Sequence, residues 1–139
     1  MMRIMAIDYG DAHTGVAISD PTGLLAGFTT VIDAYRPETV AERIRALALE
    51  HGAEKLVLGH PLNMDGTLGP RAEKAEAFAE QLRAVCNLPV VLWDERRTTI
   101  DAHQILQNAG KNAKKRKKVV DAVAASLILE GYLLFLKEK

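Results

Sequence analysis

Short apolar runs separated by turn-forming residues open the chain. Residues 3–8 are mostly apolar and residues 14–19 are rich in β-branched and small side chains, with glycine and aspartate between the two runs. A third β-rich run, Phe28 to Ile32, follows a stretch with Pro21 and Gly23, where the chain can turn back. This pattern predicts three consecutive strands that form an antiparallel meander.

The middle of the chain alternates between helical spacing and short apolar runs. Pro37 suits the first turn of a helix, and Gly52 suits its left-handed end. Between them, apolar side chains recur on one helical face at Val40, Ile44, Leu47 and Ala48. The run Leu56 to Leu58 is wholly apolar and is followed by glycine, which is typical of a parallel strand covered on both faces.

The second half of the chain repeats this alternation. Helical spacing from Ala75 to Val85 gives way, after a proline, to the apolar run Val90 to Trp93. Thr98 can cap a further helix that Gly110 ends, and we expect the last helix to start near Lys118. The predicted fold is α/β, with one five-stranded mixed sheet, three strands antiparallel and then two parallel, covered by helices.

The composition bounds the class of protein. The 139 residues fit a single domain, 1–139, that would bury about two-thirds of its unfolded surface. Since 18 Lys and Arg balance 18 Asp and Glu, any attraction to nucleic acid has to come from local patches rather than from net charge.

The cysteine count and the pattern of apolar residues predict that the protein is located in the cytoplasm. Cys86 is the one cysteine, so an internal disulfide is excluded, and the first eight residues are too short and too soon acidic for a secretion signal. The apolar stretch 119–136 is interrupted by Asp121 and Glu130, which favours a core helix over a membrane span.

Three acidic residues stand at the ends of apolar segments, and each has an ordinary structural explanation. Asp8 ends the first predicted strand, where an aspartate can accept backbone N–H bonds from the following turn. Glu95 follows the apolar run that ends at Trp93, at the sheet edge where α/β proteins bind ligands, but it could also pair with a neighbouring arginine at the surface. Asp121 lies early in the last predicted helix, where a helix N-terminus favours an acid.

Taken together, the three acids predict a metal site. The proposed topology can bring the first strand, the last strand and the last helix together, which would place three carboxylates in one cavity. Two carboxylates about 4 Å apart repel by roughly 4 kcal/mol at an effective dielectric constant of 20. A divalent cation removes this repulsion, and hard oxygen ligands without a Cys/His cluster suit Mg²⁺ or Mn²⁺.

Basic residues flank these acids and are candidates for nucleic-acid binding. They adjoin Glu95 or crowd a predicted loop just before Asp121, and they are Arg96, Arg97, Lys111, Lys114, Lys115, Arg116, Lys117 and Lys118. A run of like charges is usually a solvated loop, but a position beside the acids favours phosphate binding. Arg71 is a further candidate, although a plain surface role explains it nearly as well. His13, His60 and His103 receive no catalytic role.

Four motifs in order resemble the YqgF family of RNase H-like nucleases over essentially the whole chain. They are Ala-Ile-Asp-Tyr-Gly (6–10) with Gly-Val-Ala (15–17), Gly-His-Pro-Leu-Asn-Met-Asp-Gly (59–66), Asp-Glu-Arg-Arg-Thr-Thr (94–99), and Lys-Val-Val-Asp (118–121) leading into Ala-Ala (124–125). His60 is a departure, because we expect an aliphatic residue there in many relatives.

The resemblance implies an RNase H-like fold in which Asp8, Glu95 and Asp121 bind two metal ions and are catalytic. It also implies a Mg²⁺- or Mn²⁺-dependent nuclease that matures the small-subunit ribosomal RNA precursor, in a family formerly proposed as Holliday junction resolvases. The expected partner is nucleic acid, with RNA preferred over DNA, and pre-ribosomal particles are a further expected partner. No membrane association is expected. The expected oligomeric state is a monomer or a weak homodimer.

Three competing interpretations stay open. An opening hairpin with Asp8, Gly10 and Gly15 also occurs in phosphate-binding modules of the actin, Hsp70 and sugar-kinase type, but those close a nucleotide between two domains, and 139 residues leave no room for that cleft. A non-catalytic RNA-binding assembly factor could keep the fold and use the basic segment for docking. A four-way-junction resolvase would share the acids but would need two active sites, and therefore a dimer.

Overall fold

The computed structural model describes residues 2–20, 26–95 and 113–137, with side chains described from residue 122 onward in the last of these ranges. No helix in these ranges is both long enough and apolar enough to cross a bilayer.

A single mixed sheet of five strands forms the centre of the described structure. The strands are β1 (Ile4–Asp8), β2 (His13–Ser19), β3 (Ala26–Asp33), β4 (Lys55–His60) and β5 (Val90–Asp94). Their order is β3-β2-β1-β4-β5, with β1, β2 and β3 antiparallel and with β4 parallel to both β1 and β5. The predicted meander followed by two parallel strands is therefore confirmed, and β1 is the middle strand.

Three helices are described, α1 (Pro37–His51), α2 (Pro70–Cys86) and α3 (Ala113–Lys137). A proline occupies the first turn of both α1 and α2, where its missing N–H costs no hydrogen bond. Gly52 ends α1 with a φ of 70°, the left-handed conformation that the sequence predicts.

Helices cover both faces of the sheet, so β1 is buried along its whole apolar length. Met5 and Ile7 pack in one cluster with α1 and α2, whereas Ile4 and Ala6 pack in a second cluster with α3. A strand covered on both faces has no polar side, which explains why its sequence is continuously apolar up to Asp8.

Helix α3 runs antiparallel to β4. Near the end of α3, Tyr132 accepts a hydrogen bond from Lys55 Nζ at 2.7 Å, at the start of β4. Earlier in α3, Ile128 lies against Gly59, near the end of β4. The N-terminal half of α3 therefore points towards the sheet edge at which Asp8 lies.

The start of the last helix was predicted wrongly. It begins at Ala113, not near Lys118, so the basic run from Lys114 to Lys118 belongs to the first turns of α3 and is not a loop. Lysine and arginine are good helix formers, and repulsion between like charges on a helix costs only about 0.2–0.5 kcal/mol per pair. The helix predicted between Thr98 and Gly110 lies outside the described residues.

Candidate active site

Asp8 and Glu95 lie at the same edge of the sheet although their strands are not neighbours. Asp8 is the last residue of β1, Glu95 directly follows β5, and β4 runs between them. The pairing of Ile7 with Leu58 brings Asp8 level with Gly59 of β4. Because adjacent strands are about 4.8 Å apart, the backbones of β1 and β5 are separated by about 10 Å, and a side chain has to span β4.

Gly59 supplies the space that this span requires. A Cβ atom built on Gly59 would lie 2.7 Å from Cδ of Glu95 and 2.8 Å from Cδ1 of Ile128. Both distances are shorter than real carbon contacts. Any side chain at residue 59 would therefore displace Glu95, Ile128 or both. This role of Gly59 was not predicted from the sequence, although a glycine at the end of an apolar strand is a signal of close approach.

The carboxyl groups of Asp8 and Glu95 are hydrogen-bonded to each other and partly buried. Burial is the main cause that raises the pKa of Asp8 well above its ordinary value, and the charge of Glu95 and the hydrogen bond to it raise it further. Burial also raises the pKa of Glu95, while the hydrogen bond with Asp8 and the charge of Arg71 oppose this increase. The pair therefore favours holding a proton between its oxygens when no cation is present.

Arg71 is the described cation whose charge acts on both acids. It lies in the first turn of α2, is exposed, and lowers the pKa of Asp8 and of Glu95. The structure thus places the charge of Arg71 close enough to act on both acids, while phosphate contact by Arg71 stays a prediction.

The loop before α2 is held by its own hydrogen bonds and so fixes where that helix begins. The backbone N–H of Asn63 donates to the Thr67 carbonyl at 3.0 Å, and that of Gly66 donates to the Asn63 carbonyl at 2.8 Å. Thr67 donates from its N–H and its hydroxyl to Asp65 Oδ1, and Gly66 adopts a φ of 88°. This closed loop brings the first turn of α2, with Arg71, to the acids.

His60 connects β4 to α2 beside the site. Its Nε2 lies 2.9 Å from Oε2 of Glu76, so the histidine has a structural partner. His13 is likewise paired, with Nδ1 2.6 Å from Oδ1 of Asp33. The prediction that His13 is an ordinary surface or satisfied histidine agrees with its contact. No catalytic role was assigned to His60, and His103 lies outside the described residues.

The third acid, Asp121, is placed only by its helix. Residues 125, 128 and 132 of α3 are buried against the sheet, and residue 121 precedes Ala125 by about one turn on the same stripe. Its side chain, like those of Lys114 to Lys118, is outside the described part of the structure, as are residues Arg96, Arg97 and Lys111.

The donor set at this edge fits a hard divalent cation. Asp8 and Glu95 offer carboxylate oxygens in direct contact, and a cation between them would remove their repulsion. Within the described side chains, no group of three metal-binding residues occurs, so these two acids form an incomplete ligand set. Asp121 would be the natural addition, since its helix points to this edge.

Comparison with known proteins finds relatives along the whole described fold. Residues 2–134 match the family described as "RuvX: Holliday junction resolvase". A protein of Halothermothrix orenii named "Putative pre-16S rRNA nuclease" is 48% identical over 132 residues, covering 95% of this chain and 94% of that protein. A protein of the same name from Listeria monocytogenes is 50% identical over 134 residues, covering 95% and 97%.

Solved structures share the fold at low sequence identity. Thermus thermophilus RuvC in complex with a Holliday junction substrate superposes with a TM-score of 0.64 at 12% identity, covering 100% of this chain and 98% of that one. The Fowlpox virus resolvase bound to Holliday junction DNA gives a TM-score of 0.57 at 13% identity, covering 97% and 99%. These likenesses confirm the predicted RNase H-like architecture.

Proposed function

Because this chain belongs to the RuvX/YqgF family, we propose that it is a metal-dependent nuclease that matures the 5′ end of the 16S ribosomal RNA precursor. The observation that carries the proposal is the contact between Asp8 and Glu95 across a strand that has no side chain at Gly59. A fold does not need two adjacent, partly buried carboxyl groups, since their mutual repulsion destabilises it. A cation-binding site would explain why the two carboxyl groups lie side by side, because a bound cation offsets their repulsion.

The proposed chemistry follows from the groups that each residue can bind: metal ions for the acids and phosphate for Arg71. Asp8, Glu95 and Asp121 would bind Mg²⁺ or Mn²⁺ as a pair of ions. When bound, the ions supply activation of water and stabilisation of the departing oxygen of a phosphodiester. Arg71 draws the negatively charged backbone towards the acids, and cleavage leaves a 5′-phosphate and a 3′-hydroxyl.

The substrate assignment rests on the relatives. Proteins about half identical to this chain over nearly their whole length carry the name of a pre-16S rRNA nuclease. The basic first turns of α3 lie next to Asp121 in sequence and would bind phosphates of the RNA or of a pre-ribosomal particle. In this proposal the protein acts in the cytoplasm as a monomer or weak homodimer.

A second candidate is a Holliday junction resolvase. The description of the family and the fold of RuvC favour it. A resolvase cuts two strands related by symmetry and therefore needs a dimer with two active sites. A non-catalytic RNA-binding assembly factor is a third candidate, which the paired acids disfavour.

One experiment separates the three candidates. Purified protein is offered a ribosomal RNA precursor, a simple single strand and a four-way junction, each with Mg²⁺ or Mn²⁺. We expect metal-dependent cleavage of the precursor and its loss in the Asp8→Asn and Asp121→Asn variants. Glu54→Gln is the matched control, because Glu54 is exposed and its N–H bonds to Arg3 at the opposite edge of the sheet. Cleavage of junctions alone would overturn the rRNA assignment, and binding of RNA without any cleavage would favour the assembly factor.

A further inference from the structure

A cleft of about 310 Å³ opens beside the candidate active site. Its walls come from the turn after β1, the start of α1 and the exposed face of α2, and the residues that matter here are Tyr9, Asp11, Tyr35, Lys74, Phe78 and Gln81. Tyr9, Asp11 and Lys74 also line a smaller depression that contains Arg71. The cleft therefore adjoins the surface at Arg71, whose charge acts on Asp8 and Glu95.

Two aromatic rings give the cleft flat apolar surfaces. Tyr9 stacks on the buried ring of Phe78, with centroids 4.0 Å apart and planes 8° apart. This contact fixes the ring of Tyr9, which directly follows Asp8. Tyr35, by contrast, is 81% exposed at the other wall. A fixed ring and an exposed ring around one cleft suit a flat aromatic ligand that stacks.

Polar groups at the rim suit the rest of a nucleotide. Lys74 Nζ lies 3.4 Å from Oδ1 of Asp11, and both side chains are well exposed, so this ion pair is weak enough to exchange for a phosphate. Gln81 offers both an amide donor and a carbonyl acceptor to a base edge. Lys74 and Gln81 are seven residues apart on α2, about 10 Å along the helix axis, so phosphate and base contacts can be made from one helix face.

We propose that this cleft binds one unpaired nucleotide of single-stranded RNA, next to the phosphodiester that the acids cut. The base stacks between Tyr9 and Tyr35, its edge bonds to Gln81, and its phosphate meets Lys74. The inference rests on the proposed nuclease function and deepens it. A volume of about 310 Å³ suits one nucleotide rather than stacked base pairs, so in this proposal the enzyme selects an unpaired segment beside the cut.

The test measures binding without cleavage. A fluorescein-labelled single-stranded RNA of twelve nucleotides is titrated by anisotropy in the Asp8→Asn background, which keeps the RNA intact. Tyr35→Ala should weaken binding about 5-fold or more, the loss expected for one stacked base. Tyr35→Phe, which keeps the ring, should bind within about 2-fold of the parent. Leu49→Ala is the control, because Leu49 is 70% exposed and lines a different groove.

An abasic scan of the same RNA locates the nucleotide. Removing one base should weaken binding to the parent protein at one position or two adjacent positions, and this penalty should be smaller in Tyr35→Ala, because both changes remove the contact between the base and Tyr35. Equal affinity of Tyr35→Ala and the parent, with an unchanged abasic profile, would overturn the nucleotide site. If Tyr35→Ala in the otherwise native protein still cuts RNA normally, the nuclease proposal survives that result. A native protein that neither binds nor cuts RNA would overturn both proposals.

Discussion

Glu95 lies directly over Gly59, so close that a Cβ atom on residue 59 would be 2.7 Å from the Glu95 carboxyl carbon. Residue 59 therefore has to be glycine because of the side chains at the site, and not because the strand needs a glycine there. Gly59 pairs with Trp93 in the ladder between β4 and β5. Gly59 is not among the described glycines with a positive φ. The backbone of residue 59 would therefore accept alanine, and only the side chains of Glu95 and Ile128 prevent it.

Gly59→Ala should therefore reduce activity more than its effect on stability explains. Displacing Glu95 by about 1 Å is expected to lower the rate of cleavage roughly 100-fold, and overpacking against Ile128 should cost about 1–3 kcal/mol of unfolding free energy. Cleavage rate and urea unfolding measure the two effects. Gly52→Ala is the matched control, since its Cβ would meet nothing within 4 Å but its φ of 70° is strained. It should lose about 1–2 kcal/mol of stability and keep its activity. Normal cleavage by Gly59→Ala would contradict this role.

Asp8→Asn should stabilise the metal-free protein while removing its activity. The neutral amide removes the repulsion with Glu95 and keeps the shape of the side chain, so we expect a gain of about 0.5–2 kcal/mol in EDTA. Mg²⁺ or Mn²⁺ should raise the melting temperature of the wild-type protein and have little effect on the variant. Thermal melts with and without the metal measure both. A less stable Asp8→Asn protein, or one that the metal stabilises as much as the wild type, would count against the site.

The stability of the metal-free protein should fall as pH rises. In the folded state the pKa of Asp8 and that of Glu95 are raised above their ordinary values of 3.8 and 4.5. Between those values and the raised ones, the folded protein holds more protons than the unfolded protein, so the free energy of unfolding decreases with pH. The contribution is fully present below the unfolded values and is lost as pH passes the folded values.

Urea unfolding of the wild-type protein in EDTA at a series of pH values tests this sign, with Asp8→Asn measured in parallel. The difference between the two proteins should widen with pH, because only the wild type has to ionise both groups. A constant difference would show that the two carboxyl groups do not interact in solution.

Local patterns explain why most of the fold could be predicted. Proline at the start and glycine at the end bounded α1, and the apolar run before Asp8 identified a strand buried on both faces. The convergence of Asp8 with Glu95 was also predicted, because carboxyl ends of parallel strands share one sheet edge.

The remaining features depend on contacts between distant segments. Residue 59 has to be glycine because Glu95, which follows β5, and Ile128 of α3 both pack against it. No pattern of residues along the sequence predicts that these two side chains meet there. The stacking of Tyr9 on Phe78 likewise depends on a distant contact, because Tyr9 lies in the turn after β1 and Phe78 lies in α2. The early start of α3 was missed because a run of positive charge is typical of loops, whereas lysine and arginine also favour helices.

The basic first turns of α3 should bind RNA through its phosphates. Replacing Lys115 and Lys118, one turn apart, by glutamine keeps helix propensity and removes two charges. If both contact phosphate, the slope of log affinity against log salt concentration should become shallower by about 1.4, since each contact contributes about 0.7 on a single strand. Lys137→Gln is the control, because Lys137 lies in the last turn of the same helix and should leave the slope unchanged. Anisotropy titrations of single-stranded RNA over a range of salt concentrations measure all three proteins. An equal slope for the double variant and the wild type would place the RNA elsewhere on the surface.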